Sequence, residues 1–181
     1  DSAGTAKTDS ASCRLKALNP AVEITTATER LTPDNALALL EKCDLAVDAS
    51  DNYAARFALA DACAALRIPL VHGAVKGFIG QATVFAPHEG TACYRCLFPE
   101  ETPMQEEDTA SAAGILGAHA GIIGCIQALE ALKALAGIPS PLRGGLLSAD
   151  TLRMRFTVIP LHPSPTCKCR NGGGGGAAMK N

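Results

Sequence analysis

The sequence predicts an α/β fold in which a mixed sheet is flanked by helices, and three observations carry that prediction. First, an apolar run at residues 44–48 turns directly into a helical segment from Tyr53, and a second apolar run at residues 68–73 follows it, the order of a βαβ unit. Second, alternation at residues 81–85 adds a strand expected to pair antiparallel nearby, and residues 145–152 and 154–161 read as a hairpin closing the sheet. Third, 48% of the 181 residues are apolar, enough for one good core. Residues 1–170 are therefore expected to form one domain, and residues 171–181, with glycine from 172 to 176, a flexible tail.

Each element has its own signal. Ala11, Leu15 and Leu18 recur at helical spacing, and Asn19-Pro20 ends that helix. Val22, Ile24 and Thr26 alternate with Glu23 and Thr25, the pattern of a strand. Thr32-Pro33-Asp34 reads as an N-cap with proline at the first helical position, opening a helix that ends near Lys42. The run 44–48 is expected to be a buried parallel strand, with its carboxyl end where open α/β sheets place their ligands. Asp51 or Asn52 can cap the helix at residues 53–66, which carries Arg56 on its first turns. Gly73, Gly77 and Gly80 mark a turn region, and residues 97–109 read as a polar crossover loop. In a helix over residues 114–136, Gly114, Gly117, Gly121 and Gly124 predict one face that another backbone approaches closely.

Composition excludes several function classes. A net charge of -2 and the absence of tryptophan give no basic, base-stacking surface, so no nucleic-acid partner is expected. The longest apolar tract, residues 110–128, is interrupted by His119 and Gln127 and runs on into Glu130 and Lys133. It is expected to be a buried soluble helix, with no membrane partner. Of the eight cysteines, Cys13, Cys43, Cys63 and Cys125 lie singly and are expected to act as small buried hydrophobes. The other four form two close pairs, which points to a reducing, cytoplasmic compartment and a metal site rather than a disulfide framework. The chain opens on Asp1 rather than Met, so an upstream part is expected.

The paired cysteines are the most specific chemical signal. Cys93-x-x-Cys96 has the spacing of a zinc knuckle, and in an extended Cys167-x-Cys169 both sulfurs point the same way, so a structural four-thiolate Zn²⁺ is expected. The alternatives are incidental thiols or a redox dithiol at Cys93 and Cys96. Asp48 and Asp51 lie where a metal-bound phosphate could sit; the plainer alternative is that both only form turns and caps. His72, His88, His119 and His162 are scattered, and each reads as a core or surface histidine rather than a catalyst. The chain holds no Gly-x-Ser-x-Gly elbow and no glycine-rich phosphate loop after a strand.

Taken together, Asp48-Ala49-Ser50-Asp51-Asn52-Tyr53-Ala54-Ala55-Arg56, Pro69-Leu70-Val71-His72-Gly73, Gly80-Gln81-Ala82-Thr83-Val84-Phe85, Cys93-Tyr94-Arg95-Cys96 and the segment from Gly124 to Lys133 resemble the ThiF/MoeB/HesA group. These are ubiquitin-activating-enzyme-like adenylyltransferases, and the resemblance runs in order over nearly the whole chain. It implies a Rossmann-like mixed sheet, here an N-terminally incomplete ubiquitin-activating-enzyme-like fold, and a homodimer. It implies ATP- and Mg²⁺-dependent adenylation of the C-terminal glycine of a small ubiquitin-like sulfur-carrier protein ending in Gly-Gly, of the thiamin or molybdopterin type, with pyrophosphate leaving. On this resemblance Asp51 is the aspartate at the phosphates and Mg²⁺, Asn52 lies beside it in the nucleotide site, and Lys7 contacts the nucleotide. Residues 97–109 match the crossover loop, and Cys93, Cys96, Cys167 and Cys169 match the Zn²⁺ ligands.

Three departures qualify the resemblance. The family's glycine-rich strand-loop-helix, an acidic residue for the ribose and an arginine for the phosphates fall upstream of Lys7, so the chain alone is expected to bind ATP poorly. Ala110 stands where members often carry a cysteine, so a thioester or persulfide step is not expected there. Cys-x-Cys replaces the second Cys-x-x-Cys. Two rivals remain: a non-catalytic zinc-stabilised module that binds a ubiquitin-like partner, and a nicotinamide-dependent oxidoreductase, disfavoured without a Gly-x-Gly-x-x-Gly stretch.

Overall fold

A computed structural model describes residues 4–99 and 114–167. The chain divides into two compact units, Asp1–Leu31 and Thr32–Asn181. In the first, α1 (Lys7–Leu18) carries Asp9 in its first turn and Lys16 in its last, both favourable to the helix dipole, and it ends where the Asn19 amide donates to Leu15. The strand expected at residues 22–26 does not form. Alternation assigns side chains to faces, but a strand also requires a ladder partner. Every strand pair among the described residues lies within residues 46–160.

The second unit holds a five-stranded sheet of order β1-β2-β3-β4-β5, built from β1 (Ala46–Asp48), β2 (Leu70–Lys76), β3 (Ile79–Phe85), β4 (Gly145–Asp150) and β5 (Arg155–Pro160). β1 and β2 are parallel, with Asp48 opposite His72, and the remaining pairs are antiparallel. The expected mixed sheet, βαβ unit and closing hairpin are thus present. β1 is shorter and less buried than its apolar run predicts, because it is the edge strand of the described sheet and Val47 is 47% exposed.

α2 (Ala36–Leu40) begins later than the Thr32-Pro33 signal suggests. Asn35 Oδ1 accepts the Thr32 amide at 2.8 Å, so residues 32–35 form a turn before the helix. α3 (Tyr53–Leu66) matches its expected span, and of the two candidate caps it is Asn52 that accepts from the Ala55 amide at 2.9 Å. α4 (Tyr94–Leu97) is a single turn between Cys93 and Phe98.

α5 (Gly117–Leu135) lies on the sheet with His119, Ile123, Gln127 and Glu130 buried at helical spacing against β2 and β3. The core gathers Val71, Ala82, Val84, Leu142 and Leu147, with Ile126 and Ala131 of α5 packed against it. The close approach comes from the sheet rather than from the helix glycines. Gly117, Gly121 and Gly124 face open space, whereas a Cβ on Gly80 would lie 2.6 Å from both His119 Nε2 and Ile123 Cδ1. The helix expected to be buried is buried on one face only: within the apolar tract Ile122 is 38% exposed, and beyond it Leu129, Leu132 and Leu135 are about 60% exposed. Cys13, Cys43 and Cys125 are also exposed and only Cys63 of the four single cysteines is buried, since it alone sits on a helix face turned to the sheet. Among the described residues no helix is long and apolar enough to cross a membrane.

Gly80→Ala should therefore force His119 and Ile123 out of their positions and destabilise the fold by about 1–3 kcal/mol, the usual cost of overpacking. Urea unfolding followed by circular dichroism measures it, and an unchanged midpoint would show that α5 can lift off β3 freely.

Candidate functional site

The carboxyl end of β1 is a hydrogen-bonded hub. Asp48 is 1% exposed, and its Oδ2 lies 2.7 Å from His72 Nδ1 on β2. Its Oδ1 accepts two bonds from Ser50, from the amide at 2.9 Å and from the hydroxyl at 2.6 Å. The Arg56 guanidinium donates to the Ser50 carbonyl at 2.8 Å and places Nε 3.9 Å from Asp48 Oδ2. From α5, Gln127 Nε2 donates to the Asp48 carbonyl at 2.7 Å and reaches the Val71 carbonyl at 3.3 Å. Burial by itself would raise the Asp48 carboxyl, but the hydrogen bond and attraction of His72, with the two bonds from Ser50, outweigh it and hold the pKa below its ordinary value.

An aromatic wall closes the hub from below. His72 is fully buried, with Tyr94 edge-on at 5.3 Å and Phe85 at 5.9 Å between ring centroids. Phe57 meets Tyr94 edge-on at 5.1 Å, and Phe98 lies 4.9 Å from it. Burial pushes the Tyr94 hydroxyl up to about 12, with Arg56 pulling the other way. Tyr94 Oη and His72 Nε2 find no hydrogen-bond partner among the described residues.

Asp51 stands apart from this buried set. Its side chain is exposed at the tip of the turn, and Oδ1 accepts only a 3.3 Å bond from Asn52 Nδ2 among the described residues. Asn52 is occupied as the cap of α3. Asp48, which the sequence placed beside Asp51 as a second phosphate-facing carboxylate, is turned inward to His72 and Ser50. Lys7 opens α1 in the first unit and is exposed. Neither His72 nor Gln127 was singled out from the sequence as part of a site. The only signal for either was a polar side chain inside an otherwise apolar run.

The thiols gather at a second place. Cys93 Sγ lies 3.7 Å from Cys96 Sγ and 3.4 Å from Cys167 Sγ, too far for disulfides. The three sulfurs lie within 4.8 Å of one another. A metal with bonds of about 2.3 Å to four tetrahedral thiolates separates its sulfurs by roughly 3.8 Å, which is close to this spacing. The Ser164 amide also donates to Cys96 Sγ at 3.3 Å, as metal-bound thiolates favour. The three thiols can thus hold a metal ion. Cys169 and Ala110 lie outside the described residues, as does the crossover loop from residue 100 onward.

The model of the ThiF family matches residues 1–171. Adenylyltransferase and sulfurtransferase MOCS3-2 of Zea mays is 42% identical over 165 residues, 91% of this chain and 34% of the relative. SAMP-activating enzyme E1 of Haloferax volcanii is 41% identical over 174 residues, 96% of this chain and 64% of the relative. Sulfur carrier protein adenylyltransferase of Thermus thermophilus is 42% identical over 160 residues, 85% of this chain and 58% of the relative. The chain thus spans between a third and two thirds of the length of these curated relatives. Among solved structures, E. coli MccB with ATP superposes with a TM-score of 0.67 at 15% identity, over 92% of this chain and 51% of that one, a likeness of fold.

The lowered Asp48 pKa fixes the sign of a pH effect. Its stabilisation is complete above the unfolded carboxylate value of about 3.9 and is lost as pH falls through the lower folded value. Asp48→Asn should flatten this acid limb and lower stability at neutral pH by about 1–3 kcal/mol, since the charged bonds are lost. Urea unfolding at stepped pH measures both, and an unchanged acid limb would show that the carboxylate contributes nothing there.

Proposed function

This chain belongs to the ThiF family, and from that premise we propose that it adenylates the C-terminal glycine of a small ubiquitin-like sulfur-carrier protein ending in Gly-Gly. The names of its relatives support the reading: two of those above are adenylyltransferases, one of them of a sulfur carrier protein, and the third is a SAMP-activating enzyme. The observation that carries it is Asp51, a solvent-facing carboxylate at the carboxyl end of a parallel strand, where open α/β sheets bind ligands.

In this reaction the glycine carboxylate attacks the α-phosphorus of ATP, the bond to the β-phosphate oxygen breaks, and pyrophosphate leaves with its electron pair. Asp51 would hold Mg²⁺, which would supply charge neutralisation at the phosphates, and Asn52 beside it fixes the turn as the cap of α3. By the family likeness, Lys7 is the lysine that contacts the nucleotide, with a compact positive charge. Residues 1–170 belong to the adenylation domain. Cys93, Cys96 and Cys167, with Cys169 as the fourth ligand by the family likeness, would hold a structural Zn²⁺ that ties the segment after β5 to α4 and its N-cap. A closed four-thiolate shell leaves no position for a substrate, so this metal serves the fold. The exposed Leu129, Leu132 and Leu135 on α5 supply an apolar face for a homodimer, and reduced thiols at the zinc site suit the cytoplasm.

In the full-length protein, Asp51→Ala should abolish Mg²⁺-dependent ATP–pyrophosphate exchange with a Gly-Gly-terminated ubiquitin-like carrier, while circular dichroism and thermal unfolding stay as in wild type. Retained exchange would reduce Asp51 to a turn residue. Purified protein should contain one equivalent of zinc, and removing it with a strong chelator should lower the melting temperature by several degrees at least, about 4–8 °C for each 1 kcal/mol in a small domain. Metal content well below one equivalent would overturn the four-thiolate site.

A further inference from the structure

We propose that Ser50 and His72, acting through the buried Asp48 carboxylate, are positioning residues that hold Asp51 in place for its ligand. This rests on Asp51 being the Mg²⁺–phosphate residue. Among the described residues the Asp51 side chain bonds only its neighbour Asn52, at 3.3 Å. What fixes it is the residue on either side. Ser50 is tied to Asp48 Oδ1 through both its amide and its hydroxyl, and its carbonyl accepts from Arg56. Asn52 is locked as the cap of α3. Asp48 is in turn fixed from the neighbouring strand by His72 and, at its carbonyl, from α5 by Gln127.

The turn is therefore held at Asp48, whose carboxylate meets Ser50 and His72 of β2 and whose carbonyl meets Gln127 of α5. With Asp48 ionised, His72 Nδ1 must carry the proton and donate. His72 Nε2 then has no donor or acceptor among the described residues, so the bond to Asp48 is what orients a ring otherwise held by its packing against Tyr94 and Phe85. A metal-binding carboxylate needs its position defined to a few tenths of an ångström, and a turn free to rotate would spend binding energy on ordering Asp51.

Ser50→Ala removes the hydroxyl bond to Asp48 and leaves the amide bond, so the fold should persist. The readout is ATP affinity of the full-length protein measured calorimetrically at stepped Mg²⁺ concentrations. Ser50→Ala should raise the Mg²⁺ midpoint about threefold to tenfold, the factor one such hydrogen bond carries, and leave Mg²⁺-free ATP affinity unchanged. Ser50→Thr, which keeps the hydroxyl, should restore the wild-type midpoint, whereas a purely structural role would move both affinities together. His72→Asn, which retains a donor for Asp48, should lie nearer wild type than His72→Phe. If His72→Phe fails to fold, the two Ser50 variants decide the matter. An unchanged midpoint in Ser50→Ala, alongside a lost Mg²⁺ response in Asp51→Ala, would overturn the positioning role alone. An unchanged Mg²⁺ response in Asp51→Ala would overturn the assignment of Asp51 and this inference with it.

Discussion

An ionised carboxylate inside a protein is tolerable only when its oxygens are bonded, and Asp48 meets that condition with groups drawn from its own turn and from the next strand. The consequence is geometric as well as energetic. Because Ser50, His72 and Gln127 all converge on one residue, the end of β1, the middle of β2 and the inner face of α5 cannot move independently. The short edge strand, with only three residues in its ladder, thereby gains the rigidity that its length alone would not supply.

Helix α5 seats against the sheet for a related reason. Its buried face carries His119, Gln127 and Glu130, polar groups that each find a partner: the Gly77 carbonyl, the Asp48 carbonyl, and Lys133 with Ser140. Gly80 removes the side chain that would otherwise stand where His119 and Ile123 lie. The helix is thus fixed by directional bonds on one face while its other face remains apolar and open. A soluble domain rarely leaves such a stripe without a partner.

The thiol cluster fastens a different part of the fold. Cys93 is the N-cap of the single turn of α4 and Cys96 lies within it; Tyr94 of the same turn forms the floor beneath His72, and Cys167 arrives from the segment after β5. A metal bound there would hold Tyr94 in place and so support the hub from below. The two sites are separate in chemistry, one a carboxylate at a strand end and the other a set of thiols, yet they share the aromatic layer between them.

Much of this was legible in the sequence wherever the determinant is local. Helix α3, a cap from Asp51 or Asn52, the βαβ order and the Cys93-x-x-Cys96 turn depend on periodicity and on groups within a few residues, which is the range that side-chain spacing reports. The failures have the same cause. Residues 22–26 alternate as a strand should but gain no ladder partner, and the glycines of α5 have the spacing of a close contact but face open space. Asp48 with His72, Gln127 with the end of β1, and Cys93 with Cys167 join residues 24, 79 and 74 positions apart. The sequence by itself determined the elements whose signals are local and which residue types can do chemistry. Only the tertiary structure decided that Asp48 turns inward and Asp51 outward, because that choice depends on a histidine delivered by the neighbouring strand.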